Sequence, residues 1–449
     1  MNKFLNFLLI NLLVITTGNA SANESITGSW QGNLAVSPSQ SIALIIHFTQ
    51  ESNKLKATLD VPIQHQYGLA FNKAILESDQ LSLALDVANI QYQAKLINGE
   101  IIGTYSQGGF KAPLKLKPTT TVSKRKKKVQ EITDIAPYTI EQVSFPNTTD
   151  GHTLSGTFTS PKGAVKPIAI LLSGSGPSTR DADVFGHKVF AVLADQLTRK
   201  GIAVLRYDDR GVGKSTGDFA TATSADFATD ANAAYQYLAT QVRFKHSKIG
   251  FIGHSEGGLI GAIAAANNSK VDFLVSLAGP GTSGGQILID QSYAVQKVRG
   301  LDSEKLQESD KVQRQIIHAI ERGISSDELV TLLTSLNISQ AQAETQSKQM
   351  TSPWFEFFIN TNPKQYFAKL TMPVLALNGA LDLQVLAKQN IDGITQAVDP
   401  SLLTSKIYPQ LNHLFQPAIS GLPEEYSKID ITFSEQVSAD ISEWIKALN

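Results

Sequence analysis

Two rhythms of hydrophobic and polar residues divide the chain. In the first quarter apolar residues alternate with polar ones. Ser41 to Thr49 (SIALIIHFT), Lys54 to Val61, Gln80 to Asp86, Ile90 to Leu96 and Ile101 to Tyr105 are short runs rich in β-branched and aromatic side chains, and turn sequences such as Asn98-Gly99 separate them. A period of two puts every second side chain on one face, so the pattern predicts a small antiparallel β domain, a meander or barrel, over residues 23–118. From about residue 137 the rhythm changes. A hairpin centred on Asp150-Gly151 is followed by near-continuous apolar runs at Ile168–Ser173, Ile202–Tyr207, Lys248–Gly253, Val271–Ala278 and Pro373–Asn378. Such runs suit parallel strands covered on both faces. Helical spacing fills the intervals at Val189–Arg199, Ala225–Leu238 and Leu259–Ala266, which predicts a mostly parallel, doubly wound α/β domain over 137–449. From about 286 to 358 there is no strand pattern, but apolar residues recur three and four apart (Val312, Ile316, Ile320; Leu329, Leu332, Leu333, Leu336), which predicts a helical insertion over the sheet.

Between the two domains, residues 119–136 contain Ser123 followed by five cations, Lys124 to Lys128, and read as a solvated polar linker. Ser123 and Lys126 match S-x-x-K, but a polybasic linker offers no burial to lower the lysine pKa, and no K-T-G follows. At the start of the chain Lys3, an apolar stretch from Phe4 to Ile15 broken only by Asn6 and Asn11, and Ala20-Ser21-Ala22 form a secretory signal pattern over residues 1–22. The expectation is a bacterial protein that is exported, periplasmic or secreted, with no integral membrane span once the signal is removed.

Composition narrows the chemistry. With no cysteine in 449 residues, disulfides, Cys-ligated zinc, iron–sulfur clusters and thiol nucleophiles are excluded. Thirty-nine basic against 40 acidic side chains leave no global field for a polyanion, so nucleic acid is not an expected partner.

The strongest chemical pattern falls where a buried strand gives way to a helix. Gly253-His254-Ser255-Glu256-Gly257-Gly258 is G-x-S-x-G, whose glycines let backbones pass a sharply turned serine. A serine hydroxyl needs a base, and in a strand–serine–helix arrangement of this kind the acid and then the histidine follow along the chain. Only His318 and His413 lie far enough downstream. His318 shares a helical pattern with Ile316, Ile317 and Ile320, whereas His413 stands in a loop after the strand-like Ser405–Tyr408 and is the expected base. Asp382, directly after Val374–Leu377, is the expected acid; Asp392 and Asp399 stand farther from a strand end. The backbone amide of Glu256 is the expected first oxyanion donor. The second is placed in Leu172-Ser173-Gly174-Ser175-Gly176-Pro177, on Ser175 with Gly174 and Gly176 as alternatives. That loop lacks the third glycine of G-x-G-x-x-G. Asp208-Asp209-Arg210-Gly211-Val212-Gly213-Lys214-Ser215 ends like a phosphate loop but has Asp208 where the first glycine belongs, so it is read as a structural turn with buried Asp and Arg pairs.

Taken in order, Ser173-Gly174-Ser175-Gly176-Pro177, Asp209 to Ser215, Gly253 to Gly258, Asp382-Leu383-Gln384-Val385 and Asn412-His413-Leu414-Phe415-Gln416 resemble the α/β-hydrolase superfamily, and within it exported bacterial esterase-like or serine aminopeptidase-like hydrolases. The resemblance covers about 137–449. It implies Ser255 as nucleophile with Asp382 and His413 as partners, a helical cap over the pocket, and no cofactor or metal. Ser173 stands where many members carry histidine. The expected activity is hydrolysis of carboxylic esters of small to medium acyl groups through an acyl-enzyme. An aminopeptidase acting on short peptides is the alternative, with Glu256 or a cap acid holding the free amine, and a non-catalytic binding protein on the same fold is a third reading. Trp354, Phe355, Phe357, Phe358 and Tyr366 are candidates for an acyl pocket or for core.

Overall fold

The computed structural model describes residues 26–448 except 38–39, 52–53, 65, 109, 121–126, 133–135 and 164–166. The signal predicted over 1–22, Ser123 and Lys126 lie outside the described residues.

The N-terminal domain has nine strands: β1 (Gly28–Ser37), β2 (Gln40–Glu51), β3 (Lys54–Val61), β4 (Gln66–Ala70), β5 (Lys73–Glu77), β6 (Gln80–Leu85), β7 (Ile90–Ile97), β8 (Glu100–Gln107) and β9 (Phe110–Thr119). They form one sheet in the order β4-β3-β2-β1-β9-β8-β7-β6-β5. The first strand therefore pairs with the last, through Ser29 with Thr119, Trp30 with Pro118 and Gln31 with Lys117. The two outer strands, β4 and β5, are consecutive in the chain. The sheet curls on itself, and alternate residues such as Trp30, Phe48, Leu83, Tyr92 and Leu116 fill the inside. Burying Tyr92 is affordable only because its hydroxyl donates to the Leu114 carbonyl at 2.9 Å.

The C-terminal domain carries β10 (Thr139–Asn147), β11 (His152–Ser160), β12 (Pro167–Leu172), the short pair β13 (Asp183–Val184) and β14 (His187–Lys188), then β15 (Ala203–Tyr207), β16 (Lys248–His254), β17 (Leu274–Leu277), β18 (Val374–Gly379) and β19 (Leu403–Tyr408). Eight of them form a sheet ordered β10-β11-β15-β12-β16-β17-β18-β19. From β15 to β19 neighbouring strands are parallel; β11 is antiparallel to both of its neighbours. Every residue of β12, β15, β17 and β18 is buried, which is why these strands read as unbroken apolar runs. Helices α1 (Val189–Arg199) and α12 (Glu435–Ala447) cover one face; α2 (Ser224–Ala239), α3 (Glu256–Ala266) and α10 (Ala387–Ala397) cover the other. A capping box between Thr223 and Asp226 starts α2. The predicted insertion is a five-helix cap: α4 (Gly284–Val298), α5 (Ser303–Glu321), α6 (Ser326–Ser335), α7 (Gln340–Met350) and α8 (Pro353–Asn360). The short helices α9 (Lys364–Phe367) and α11 (Pro423–Tyr426) lie in connecting segments. The fold is thus the α/β hydrolase with helical cap and preceding antiparallel β domain that the sequence predicts.

Two local expectations are corrected. Val271 to Phe273 precede the strand rather than belonging to it, yet stay tied to β16 through Asp272 N–H to Ile249 O at 2.9 Å and Phe251 N–H to Phe273 O at 3.0 Å. Lys128, the last cation of the linker, is buried rather than solvated. Its ammonium donates to the carbonyls of Ser427 (2.8 Å) and Ile429 (2.6 Å). Two residues on, the Gln130 side chain accepts from the amides of Thr432 and Phe433 and donates to Phe433 O. Lys128 and Gln130 thus tie this stretch to the 427–433 segment.

Candidate active site

Ser255 joins β16 to α3 with φ 55° and ψ −126°, a conformation that an L-residue adopts only when its surroundings enforce it. The enforcement is visible. The Ser255 N–H donates to Leu277 O at 2.8 Å and its carbonyl accepts from Gly258 N–H at 2.9 Å. A Cβ on Gly253 would lie 1.9 Å from Gly257 O, and one on Gly257 would lie 2.2 Å from Leu172 O. Glycine at both positions is what lets strand, turn and helix nest.

Asp382 follows β18 and is buried, its Oδ1 accepting from the amides of Gln384 (2.8 Å) and Val385 (2.9 Å). Its Oδ2 lies 2.8 Å from His413 Nδ1, so this carboxylate holds the imidazole with Nδ1 as donor and leaves Nε2 as the basic atom. His413 sits in a turn organised by buried Asn412, whose Oδ1 accepts from the amides of Leu414 (3.0 Å) and Gln416 (2.9 Å). Ser255 and His413 face one cavity of about 420 Å³; among the described residues no hydrogen bond joins their side chains. His254 packs against His413 with ring centroids 4.7 Å apart and planes tilted by 51°, and its Nε2 donates to the His413 carbonyl at 2.8 Å. Burial, reinforced by the neighbouring imidazole, pushes its pKa down to about 3, so His254 stays neutral and buttresses His413.

The Ser173–Pro177 loop after β12 passes close to Ser255. A Cβ on Gly174 would stand 3.1 Å from Ser255 Cβ and 3.6 Å from its Oγ, so the Gly174-Ser175 backbone runs close beside Ser255 and a larger residue there would crowd it. Glu256 is the first residue of α3, where the N–H has no partner within the helix. The Ser175 hydroxyl donates to Glu256 Oε2 at 2.6 Å. The Glu256 carboxylate, 2% exposed, also accepts from Ser224 Oγ at 2.6 Å and Trp354 Nε1 at 2.9 Å. Burial raises its pKa against the pull of these three donors. Beneath the loop Asp209 accepts from Ser178 N–H at 2.8 Å and from the Ser173 hydroxyl. Burial outweighs both bonds and, with nearby Asp230 and Glu256, pushes Asp209 up to about 8.

Phe185, Phe190, Ile287, Leu288, Trp354 and Phe358 supply most of the apolar wall, and no Lys or Arg lines it. Of the five aromatic candidates, Trp354 and Phe358 reach the cavity, stacked 5.5 Å apart at 11°; Phe355, Phe357 and Tyr366 pack on the core. His318 is exposed and bonds Glu321 at 2.8 Å. Asp392 pairs with Lys388 on the surface, and Asp399 accepts from Ser401. The Asp208 region is the predicted turn: Asp208 pairs with Arg180, and Arg210 with Asp230 and Asp150. Sequence reasoning missed Tyr426, a buried cavity residue whose hydroxyl accepts from Gln384 at 3.1 Å, and Ser224. Thr223 and Ser224 carried a helix-start signal, but nothing that pointed to Glu256.

Sheet order, elbow and cap define an α/β hydrolase. The family model described as Serine aminopeptidase, S33 (Hydrolase_4) matches residues 187–416, and the chain belongs to that family. Esterase EstD of Thermotoga maritima is 26% identical over 297 residues, 65% of this chain and 65% of the relative, so the match spans just under two thirds of that protein's length. Among solved structures, the Pyrococcus furiosus esterase Pf2001 is 17% identical, covering 72% of this chain and 97% of its own, with a TM-score of 0.45. A dienelactone hydrolase from Anabaena variabilis is 17% identical, covering 69% and 98%, with a TM-score of 0.41.

Proposed function

We propose that the protein is an exported serine esterase acting on uncharged carboxylic esters of small to medium acyl groups. The observation that carries the reading is the strained Ser255 sharing an apolar cavity with a His413 whose Nδ1 is held by buried Asp382. In the proposed cycle His413 Nε2 takes the Ser255 proton as Oγ attacks the acyl carbon. The oxyanion rests on the amides of Glu256 and Ser175, the alcohol leaves with the proton, and water attacks the acyl-enzyme by the same path. An anionic acyl group finds no cationic side chain on the wall. Aminopeptidase action, which the family name brings forward, needs a carboxylate to hold the substrate's ammonium; Glu256 is already engaged by three donors, so that role would fall to Asp183 on the cavity wall or to a cap acid. The N-terminal signal pattern supports export to a periplasm or medium.

The test is reaction of the mature protein with a fluorophosphonate, with mass mapping of the adduct, beside p-nitrophenyl esters of two to eight carbons and aminoacyl anilides. The expected result is an adduct on Ser255 and turnover of esters but not anilides. Ser255→Ala is expected to lose at least about 10⁴-fold in kcat with an unchanged melting curve. Parent-like turnover by that variant refutes the assignment, and faster anilide hydrolysis moves the protein to the peptidase reading.

A further inference from the structure

We infer that the buried carboxylate of Glu256 is a positioning group that latches the oxyanion loop to the cap, through Ser175 on one side and Trp354 on the other. The inference rests on the serine-hydrolase reading and goes beyond it. Three donors from three separate elements converge on this side chain: Ser175 in the loop after β12, Ser224 in the first turn of α2, and Trp354 in α8 of the cap. All three are neutral. A carboxylate 2% exposed with only neutral hydrogen-bond donors is a costly choice for packing alone. An acceptor-only group with two oxygens is, however, suited to gather several donors at once.

Its position gives the latch a purpose. Glu256 offers one oxyanion N–H from its own backbone, and its side chain grips the residue whose backbone offers the other. The spacing between the two donors is thereby set by one residue, the immediate neighbour of Ser255 in the chain. Trp354 also forms part of the cavity wall, so an acyl chain seated on the indole bears on the same carboxylate that holds the loop. This ties the acyl subsite to the oxyanion site mechanically.

The experiment compares parent, Ser175→Ala, Ser175→Thr, Glu256→Ala and the Ser175→Ala/Glu256→Ala double variant in ester turnover and in the rate of fluorophosphonate labelling at Ser255, which places a phosphoryl oxygen in the same hole. Displacement of one donor by a fraction of an ångström is expected to lower kcat about 10-fold in Ser175→Ala, with KM for the acetyl ester within about 2-fold and an equal fall in labelling rate. Ser175→Thr keeps the hydroxyl and is expected to restore most of the rate. The double variant is expected to be no slower than Glu256→Ala, because both substitutions open the same latch. Parent-like kcat in Ser175→Ala, or multiplicative losses in the double variant, overturn the latch while leaving the hydrolase intact. No labelling of the parent protein overturns the hydrolase reading and the latch with it. Ser175→Ala removes a single hydroxyl, so the test survives a Glu256→Ala chain that does not fold.

Discussion

Replacing Asp209 with asparagine should change how stability depends on pH. In the folded protein this carboxyl lies under the oxyanion loop with a pKa pushed up to about 8 by burial, from an ordinary value of 3.8. Between those values the unfolded chain is ionised and the native one still holds its proton. The group's contribution is therefore fully present below about pH 4 and declines as pH rises through 8. At about 1.4 kcal/mol per pH unit, the whole span amounts to at most about 6 kcal/mol, comparable with the stability of a whole domain. Asparagine copies the protonated acid: its oxygen accepts from Ser178 N–H and its amide faces the Ser173 hydroxyl. Urea unfolding in a Trp30→Phe background leaves Trp354 and Trp444 to report on the catalytic domain alone. The stability of Asp209→Asn relative to its Asp209 parent should improve by about 1.4 kcal/mol for each pH unit from 5 to 7, whatever constant offset the substitution introduces. Parallel pH curves for the two proteins would refute the reasoning, since they require Asp209 to be ionised in the fold.

Two further perturbations probe the frame. Gly257→Ala puts a methyl 2.2 Å from Leu172 O and 2.7 Å from Ser173 O, both backbone atoms, so the elbow and the oxyanion loop must separate; the expected loss is about 2–4 kcal/mol in urea unfolding, with ester turnover falling alongside. Lys128→Met removes the ammonium from Ser427 O and Ile429 O and should cost about 1–3 kcal/mol; hydrogen exchange is expected to quicken over 426–433 while the β domain is unaffected, and unchanged exchange there would show that the linker is only resting on the surface.

The parts of the catalytic domain visible in the sequence are those where local chemistry and tertiary role coincide. β12 and β18 are buried on both faces, so hydrophobicity alone outlines them; the elbow announces itself because Gly253 packs on the Gly257 backbone of the same turn and Gly257 on the Leu172-Ser173 backbone, so both positions must be glycine. His413 and Asp382 were reachable because chain order leaves few candidates. The β domain was less legible. β1 escaped notice, and β9 carries Pro113 and Pro118, residues that argue against a strand, although Ala112, Leu114 and Leu116 alternate inward. The Glu256 donors lie 81, 32 and 98 residues away in sequence, and Lys128 meets its acceptors about 300 residues downstream. No periodicity encodes such meetings, because each depends on the assembled layers rather than on the run in which the residue sits.

The pairing of β1 with β9 has a mechanical side. Ser29 faces Thr119 at one end of that ladder, so the chain enters and leaves the β domain side by side. Tension applied along the polypeptide would open this seam bond by bond, like a zip, instead of loading all its hydrogen bonds together as in shear. The β domain is weak against a pull on its own two ends, because that load falls on the three β1–β9 pairs before it reaches any other ladder.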